Sequence, residues 1–259
     1  MRRVFPVLVA AFAVLASACG IDAGSTSTTA TVEATTTSTA GTPSTTTTTT
    51  TLAEPTTTTT TPPGSTTLAG EPVDLGPAEG DVLMVIGVRH DDVLNLRAAP
   101  GASQPIADEI PPTFTALVAL GNTRHLPSSF WTEVDYDGTE GWVHMGYIGY
   151  EGDVSDETAA VIDELGGRPV APTMEALAEE IAEIYVSDDE PGSDIVQVTE
   201  VTGGDLTEVT YDVVGLADDS VRGVRIHVFA EEVSGGFSLR TVELTSICGR
   251  GVDEDLLCV

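Results

Sequence analysis

The chain has 259 residues, and its 41 acidic side chains against ten basic ones give a formal net charge of −31. All ten basic residues are arginine. Nucleic acids and anionic membrane surfaces both attract proteins through basic patches, so this balance argues against nucleic acid as a partner and against electrostatic attachment to a membrane. The simplest interpretation of the charge is the solubility of a secreted protein.

Residues 1–18 have the composition of a secretory signal peptide. Arg2 and Arg3 precede an apolar run over residues 4–15, and small residues then lead to Cys19. An apolar run of this length is too short to span a bilayer, which requires about twenty residues. We therefore expect the chain to be exported.

Small residues that end at a cysteine resemble the lipobox of bacterial lipoproteins. In that family the signal peptide is removed before the cysteine, whose thiol then carries a diacylglyceryl anchor. The resemblance implies lipidation of Cys19, with acyl chains such as palmitate holding the protein at the outer face of the cell membrane. The alternative is simple secretion after cleavage at a small-residue site.

Residues 19–80, which begin with this cysteine, form a linker of low complexity. Unbroken threonine runs cover residues 45–51 and 56–61, with Pro43, Pro55, Pro62 and Pro63 beside them and almost nothing apolar to bury. This composition predicts a disordered tether that carries the folded part away from the membrane. The alternative is an unselected low-complexity expansion. Serine and threonine beside proline are also typical of O-glycosylated stalks.

Residues 81–150 are rich in strand patterns. Leu94-Asn95-Leu96-Arg97 alternates apolar and polar side chains and is followed by a Pro-Gly pair, which is the pattern of a half-buried strand that enters a turn. Further along, two segments rich in aromatic and β-branched residues flank an Asp-Gly pair. Such a pair between two strands predicts a tight β-hairpin.

The Leu-Asn-Leu-Arg strand with its Pro-Gly pair, and the later Gly-Trp-Val at residues 141–143, resemble the bacterial SH3 family of small β-barrels. The resemblance implies an SH3-like β-barrel over residues 81–150, with Trp142 largely in its core. Trp131 is also expected to lie largely in the core. The family's binding residues vary from member to member, so the ligand stays open at this point.

The candidate ligand-binding residues of the barrel are two polar side chains and three aromatic ones. Asn95 and Arg97 belong to the signature strand, although either could instead satisfy turn backbone or a carboxylate. Phe130, Tyr136 and Tyr147 are candidates because aromatic faces outside a core pack on sugars or peptides. The partner that we expect is peptidoglycan or a wall peptide.

Residues 151–259 predict an α+β domain. Ser155 is expected to cap a helix over residues 156–165, and Thr173 a second, amphipathic helix that extends to Tyr185. Alternating patterns separated by glycine-containing turns then predict a four-stranded antiparallel meander, at residues 195–202, 206–214, 221–233 and 237–246. A helix on such a sheet is similar in element order to cystatin-like folds. The expected fold class is therefore mainly β with α+β: tether, barrel, then α+β domain.

Cys248 and Cys258 are expected to form a disulfide, since they lie close together in an exported chain. The sequence contains no Gly-x-Ser-x-Gly elbow, His-Glu-x-x-His helix or phosphate-binding loop. No metal-ligand spacing links the histidines, and the acidic loop at residues 188–194 lacks the glycine and spacing of an EF-hand. We therefore predict neither enzyme activity nor a cofactor or metal.

The leading hypothesis is a non-catalytic, lipid-anchored envelope protein whose barrel binds cell wall or wall peptides. Its C-terminal domain would bind a protein or small ligand that the sequence does not identify. One alternative is a structural or sensory interaction lipoprotein in which the barrel is only a scaffold. The other is an accessory cell-wall hydrolase with an unrecognised site.

Replacing Cys19 with serine should move the protein from the membrane fraction to the soluble fraction, because the acyl chains attach to this thiol and each buried methylene contributes ~0.8 kcal/mol to membrane binding. Fractionation with palmitate labelling measures this. The Cys258→Ser variant, which removes a different cysteine, should stay in the membrane fraction. A wild-type protein found entirely in the medium would indicate simple secretion instead.

Overall fold

The computed structural model describes residues 68–186, 192–216 and 218–259. Within this part, the helices are α1 (Thr158–Glu164) and α2 (Met174–Ala182), with short 3-10 turns at Met145–Tyr147 and Glu183–Tyr185. The strands are β1 (Glu71–Pro72), β2 (Val82–Val85), β3 (Leu94–Arg97), β4 (Ile106–Ile110), β5 (Leu117–Leu126), β6 (Ser129–Tyr136), β7 (Thr139–His144), β8 (Ile148–Asp156), β9 (Val170–Ala171), β10 (Asp194–Gln197), β11 (Thr207–Val214), β12 (Val221–Val233) and β13 (Gly236–Cys248). The predicted signal peptide, Cys19 and the linker up to residue 67 lie outside the described residues.

The signature strand β3 follows the predicted alternation. Leu94 and Leu96 are buried, whereas Asn95 and Arg97 are half-buried on the opposite face. The two leucines join a core cluster that also contains Leu83, Val85, Val88, Ile110, Leu117, Ala119, Val134, Val143 and Ile148. The two leucines of β3 therefore face the core, and only Asn95 and Arg97 can contact a ligand.

The hairpin between β6 and β7 forms as predicted. Tyr136 pairs with Thr139, so that Asp137 and Gly138 alone make the turn. Both turn residues have positive φ, 49° and 89°, which is the geometry of a type I′ turn. This turn matches the right-handed twist of the two strands and fixes their register.

The amphipathic helix α2 begins where the sequence predicts. The Thr173 hydroxyl accepts a hydrogen bond from the backbone N–H of Ala176 at 3.2 Å and caps the helix. The buried face of α2 packs into a cluster with residues of β11, β12 and β13. Its members from the helix are Met174, Leu177, Ala178, Ile181 and Ala182, and those from the strands include Val209, Tyr211, Ile226, Val228 and Val242.

The predicted fold class is nevertheless wrong, because the C-terminal sheet does not stop at four strands. β12 pairs with one edge of β13, and β8 and β9 pair with its other edge. The start of β8 in turn pairs with β2 of the barrel. The order β10-β11-β12-β13-β8-β2-β5-β6-β7-β3-β4 is therefore one antiparallel series, with two short helices, in place of a separate α+β domain.

The physical reason for this difference is the backbone of β13. A long strand has unpaired N–H and C=O groups along both edges, and an uncovered edge is unfavourable. β8 covers this edge by continuing through residue 156, and the predicted boundary between residues 150 and 151 falls inside it. All the described residues accordingly belong to one compact unit. The expected similarity to cystatin-like folds depended on a separate four-stranded sheet, and the continuous sheet replaces that arrangement.

Smaller predictions also differ from the structure. Ser155 lies in β8 and does not cap α1, which begins at Thr158, whose N–H donates to the Asp156 carboxylate at 2.9 Å. β10 ends at Gln197, before the predicted end of that strand. The linker was predicted to be disordered up to residue 80, yet β1 within it pairs with β5.

A buried ion pair joins the C-terminal sheet to the barrel. Arg225 on β12 lies opposite Asp212 on β11, with the guanidinium 2.8 Å and 3.0 Å from the two carboxylate oxygens. Arg225 also donates to the carbonyl of Val85 at 2.8 Å, and Asp212 accepts from the backbone N–H of Gly87 at 2.9 Å. The Asp212 side chain is fully buried. Both charges therefore have hydrogen-bond partners from β2 and the residues that follow it.

Removing Arg225 should destabilise the protein severely, because Asp212 would remain buried without a compensating charge. Breaking one partner of a buried pair costs roughly 3 to 5 kcal/mol. The Arg225→Ala variant should therefore show a large drop in the free energy of unfolding in urea. Arg89→Ala, which removes the exposed partner of Asp91, should change it little. Similar values for the two variants would contradict this role of the buried pair.

Candidate ligand-binding cleft

A cleft of about 550 Å³ lies on the barrel surface. One side is formed by the segment at residues 87–93, which leads from β2 to β3. The other side is formed by side chains of β3, β6, β7 and the 3-10 turn at Met145–Tyr147. The cleft therefore collects side chains that are distant in sequence and gives them a shared opening.

The polar side chains of β3 point into this cleft. Asn95 and Arg97 both line it, because they occupy the face of the strand opposite to the buried leucines. One nitrogen of the Arg97 guanidinium donates to the carbonyl of Gln104 at 2.7 Å, which holds the side chain in place. A guanidinium has five N–H donors, so this bond leaves Arg97 with donors for a carboxylate or carbonyl of a ligand.

Three rings form an aromatic wall of the cleft. The Trp131 and His144 ring centroids are 5.5 Å apart in an edge-on arrangement, and those of His144 and Tyr147 are 5.6 Å apart. Trp131 is nearly buried and donates from Nε1 to the Ser129 hydroxyl at 3.0 Å. Tyr147 is 45% exposed. The wall is therefore fixed at its base by Trp131 and open to a ligand at Tyr147.

His144 connects this wall to the backbone. Its Nδ1 accepts a hydrogen bond from the N–H of Gly146 at 2.9 Å, which assigns the proton of the neutral imidazole to Nε2. Burial lowers the pKa of His144, and the positive charge of Arg222 lowers it further. His144 therefore stays neutral at pH values at which an ordinary histidine begins to take up a proton.

Arg222 supports the turn that carries Tyr147. This residue lies on β12 and donates from one nitrogen to the carbonyls of Met145 and Ile148, both at 2.9 Å. Burial lowers the pKa of its guanidinium. The aromatic wall is consequently held from the C-terminal sheet as well as from the barrel.

The charges around the cleft differ from those of the chain as a whole. Among the described residues that line it, Arg89 and Arg97 are cationic and Asp92 is acidic. Arg89 is paired with Asp91 at 2.9 Å, but both side chains are largely exposed to water. With Asp91 and Asp92 beside them, the two arginines leave this opening close to neutral in a chain of net charge −31.

The structure brings together three of the five predicted ligand-binding residues. Asn95, Arg97 and Tyr147 line the cleft, whereas Phe130 and Tyr136 do not. Phe130 stacks on His125 at 4.4 Å, outside the cleft. Tyr136 packs edge-on against Phe114 at 4.8 Å and joins the rim of the barrel core.

Sequence reasoning missed Trp131 and His144 as parts of this cleft. Trp131 was assigned to the core, and it is buried, but it forms the base of the aromatic wall. His144 was considered only as one of the histidines that no metal-ligand spacing links. Its position three residues before Tyr147, at a strand end, was the signal that both could reach one site.

The predicted disulfide is confirmed, since Cys248 and Cys258 are bonded, with their Cα atoms 5.1 Å apart. Among the described residues, no group of three or more His, Cys, Asp or Glu side chains is placed to hold a metal ion. In the same part of the chain, no helix has the length and apolar character needed to cross a membrane. Asp188 to Glu190 of the acidic loop lie outside the described residues.

Acidification should destabilise the protein partly through His144. Because its folded-state pKa is depressed, the unfolded state takes up a proton more readily as the pH falls below about 6.5. This contribution to stability is full above that pH and is lost as the pH falls to the folded-state pKa. The His144→Asn variant keeps a hydrogen-bond acceptor but does not titrate. Urea unfolding should therefore show that the free energy of unfolding falls less for the variant than for the wild type between about pH 7 and pH 5. Equal losses would contradict the assignment.

Comparison with protein families finds a match between residues 92–149 and the bacterial SH3 domain. The matched segment runs from just before β3 to the start of β8, and it includes most of the residues that line the cleft. No curated protein and no solved structure matches the chain. The predicted SH3 resemblance is confirmed for this segment: the chain contains a bacterial SH3 domain at residues 92–149.

Proposed function

We propose that this protein is a non-catalytic, lipid-anchored component of the bacterial cell envelope whose SH3 domain binds the cell wall or a wall peptide. The observation that carries this proposal is the cleft, in which Asn95, Arg97 and Tyr147 share one opening on the SH3 domain. Bacterial SH3 domains are often modules that bind the cell wall or peptides. The cleft offers a defined place for such a ligand.

The side chains of the cleft suit a ligand that has both polar groups and an apolar face. The exposed ring of Tyr147 offers a surface on which a sugar ring or an aliphatic side chain can pack. The Asn95 amide provides a donor and an acceptor, and Arg97 provides donors for a carboxylate or carbonyl. Peptidoglycan and its peptides present all of these groups.

The position of the protein in the envelope is proposed from the sequence. A diacylglyceryl group on Cys19 would hold the chain at the outer face of the cell membrane. A coil of ~60 residues has a root-mean-square span of roughly 40 to 45 Å, so the predicted tether would let the SH3 domain reach wall material near the membrane.

Two observations support a non-catalytic role over an accessory hydrolase. Cys248 and Cys258 are bonded to each other, so neither is free to act as a nucleophile. The Nδ1 atom of His144 accepts from the N–H of Gly146, so the neutral ring carries its proton on Nε2 and offers a ligand a donor in place of a general base.

The scaffold alternative would be favoured if the barrel aromatics were buried against the helix at residues 174–185. Tyr147 is instead exposed in the cleft. Tyr136 is half-buried, but its contact is with Phe114 of the barrel itself. Neither tyrosine therefore supplies the contact that a pure scaffold role requires.

Co-sedimentation of the full chain with purified peptidoglycan tests the proposal. The wild type should pellet with the wall material, and Tyr147→Ala should weaken this binding about tenfold, as expected for loss of an aromatic anchor. Phe130→Ala is the matched control, because Phe130 is a similarly exposed aromatic residue, at 38% against 45%, and lies outside the cleft. This control should bind like the wild type.

The same assay can contradict the proposal in two ways. No binding by the wild type at low or moderate salt would remove the wall-binding role. A loss caused by Phe130→Ala but not by Tyr147→Ala would place the binding surface elsewhere on the domain. Urea unfolding of each variant shows whether a loss of binding reflects the cleft or the stability of the fold.

A further inference from the structure

A second concave surface lies beside the closed loop at the C-terminus. The disulfide between Cys248 and Cys258 closes this loop against β8, and the loop and the start of β2 border a groove of about 610 Å³. The groove is lined by Val82 and Tyr150 on one side and by Leu256 and Val259 on the other. Among the described residues, none lines both this groove and the cleft of the SH3 domain.

Several apolar side chains around the groove are exposed to solvent. Val82 is 56% exposed, Leu256 50% and Val259 55%. Single exposed apolar residues are common on protein surfaces, but several around one concave surface are typical of interaction sites.

Leu256 is also held in a strained backbone conformation. Its φ is +63°, in the left-handed region that a leucine rarely adopts. Strain of this kind persists only where the surrounding structure enforces it, and it concentrates at functional positions. At this position it accompanies a leucine that is directed toward solvent.

Backbone contacts on both sides of Leu256 maintain this conformation. Its carbonyl accepts from the N–H of Asp153 on β8 at 2.9 Å. The Asp253 carboxylate accepts from the N–H groups of Asp255 and Leu257, both at 2.9 Å. Together with the disulfide, these bonds present Leu256 as a pre-organised apolar contact, which lowers the entropic cost of binding.

The charges beside the groove select the partner. Glu151 lines it, and the exposed side chains of Asp253, Glu254 and Asp255 lie on the loop next to Leu256. Arg250 also lines it, but its guanidinium is paired with Asp219 at 2.8 Å. The groove therefore combines an apolar centre with an acidic border.

We propose that this groove binds a protein segment that presents apolar side chains flanked by lysine or arginine. The apolar side chains would pack on Leu256, Val82 and Val259, and the flanking cations would meet the carboxylates of the loop. A second copy of this chain is a poor occupant, because a symmetric contact would bring the acidic border against itself. An anionic membrane surface would be repelled by the same carboxylates.

Selection from a library of short random peptides on the full chain tests this proposal without knowledge of the natural partner. Peptides that also bind the Leu256→Asp variant are removed by counter-selection. The recovered peptides should carry large apolar residues flanked by lysine or arginine. Fluorescence anisotropy of one such peptide should show affinity that falls with salt and falls about tenfold in Leu256→Asp.

Two further variants separate the contributions. Replacing both Glu254 and Asp255 with arginine keeps Leu256 and should weaken binding of the cationic peptide about as much as Leu256→Asp does. This double variant tests the role of the loop carboxylates even if Leu256→Asp disturbs the loop. Val170→Asp changes a valine of similar exposure, 54%, that does not line the groove, and it should bind like the wild type. The urea midpoint of each variant reports on folding.

Several outcomes would overturn the proposal. Recovered peptides that are acidic, or that bind equally well after Glu254 and Asp255 are replaced with arginine, would contradict the proposed role of the loop carboxylates. A selection that leaves no peptide after the counter-selection would place the binding site elsewhere. Self-association of the wild type that Leu256→Asp abolishes would identify a second copy as the occupant. Flotation with phosphatidylglycerol vesicles that needs Leu256 but not Cys19 would identify a lipid surface. Loss of peptidoglycan binding by Tyr147→Ala concerns the cleft alone, so the two proposals fail independently.

Discussion

The buried pair of Asp212 and Arg225 determines how the two halves of this protein meet. Burying charges is costly unless each is paired and hydrogen-bonded, and here the pair reaches Val85 and Gly87 at the end of β2. Gly87 itself has a φ of +61°, which favours glycine. The segment at residues 87–93 therefore leaves β2 in a direction fixed by the C-terminal sheet. A second bond, from the His90 N–H to the Gln197 carbonyl at 2.9 Å, holds the same segment.

This constraint reaches the ligand-binding cleft from two sides. The segment held by Asp212 and Arg225 forms one wall, and the turn held by Arg222 carries Tyr147 on the other. The SH3 domain thus does not set the shape of its cleft alone. The C-terminal sheet acts as a support for the binding surface, which gives that half of the chain a physical role in addition to any partner of its own.

The two concave surfaces of the protein have different chemistry. Arginine and aromatic side chains line the cleft, whereas apolar and acidic side chains surround the groove at the C-terminal loop. A near-neutral cleft with arginine donors and an acidic groove favour partners of different charge. Under the two proposals, the cleft would bind wall material and the groove would bind a protein segment.

Local sequence signals determined the parts of the structure that depend on neighbouring residues. The Asp137-Gly138 turn, the Thr173 cap, the alternation on β3 and the Cys248–Cys258 pair each involve residues close in sequence. The side of the strand on which Tyr136 lies was also readable in principle. Tyr136 has the same parity as the buried Val134, so on a strand it faces the barrel core.

Contacts between distant residues were decided only by the tertiary structure. No local pattern shows that β8 pairs with both β13 and β2, because strand pairing depends on which edges meet after the chain has folded. The charged side chains of Asp212, Arg222 and Arg225 resemble ordinary strand residues until their partners in the barrel are known. The sequence by itself therefore determined the SH3 module and its signature side chains. The tertiary structure decided that the C-terminal sheet supports them, since this support is made of bonds between residues 74 to 140 positions apart.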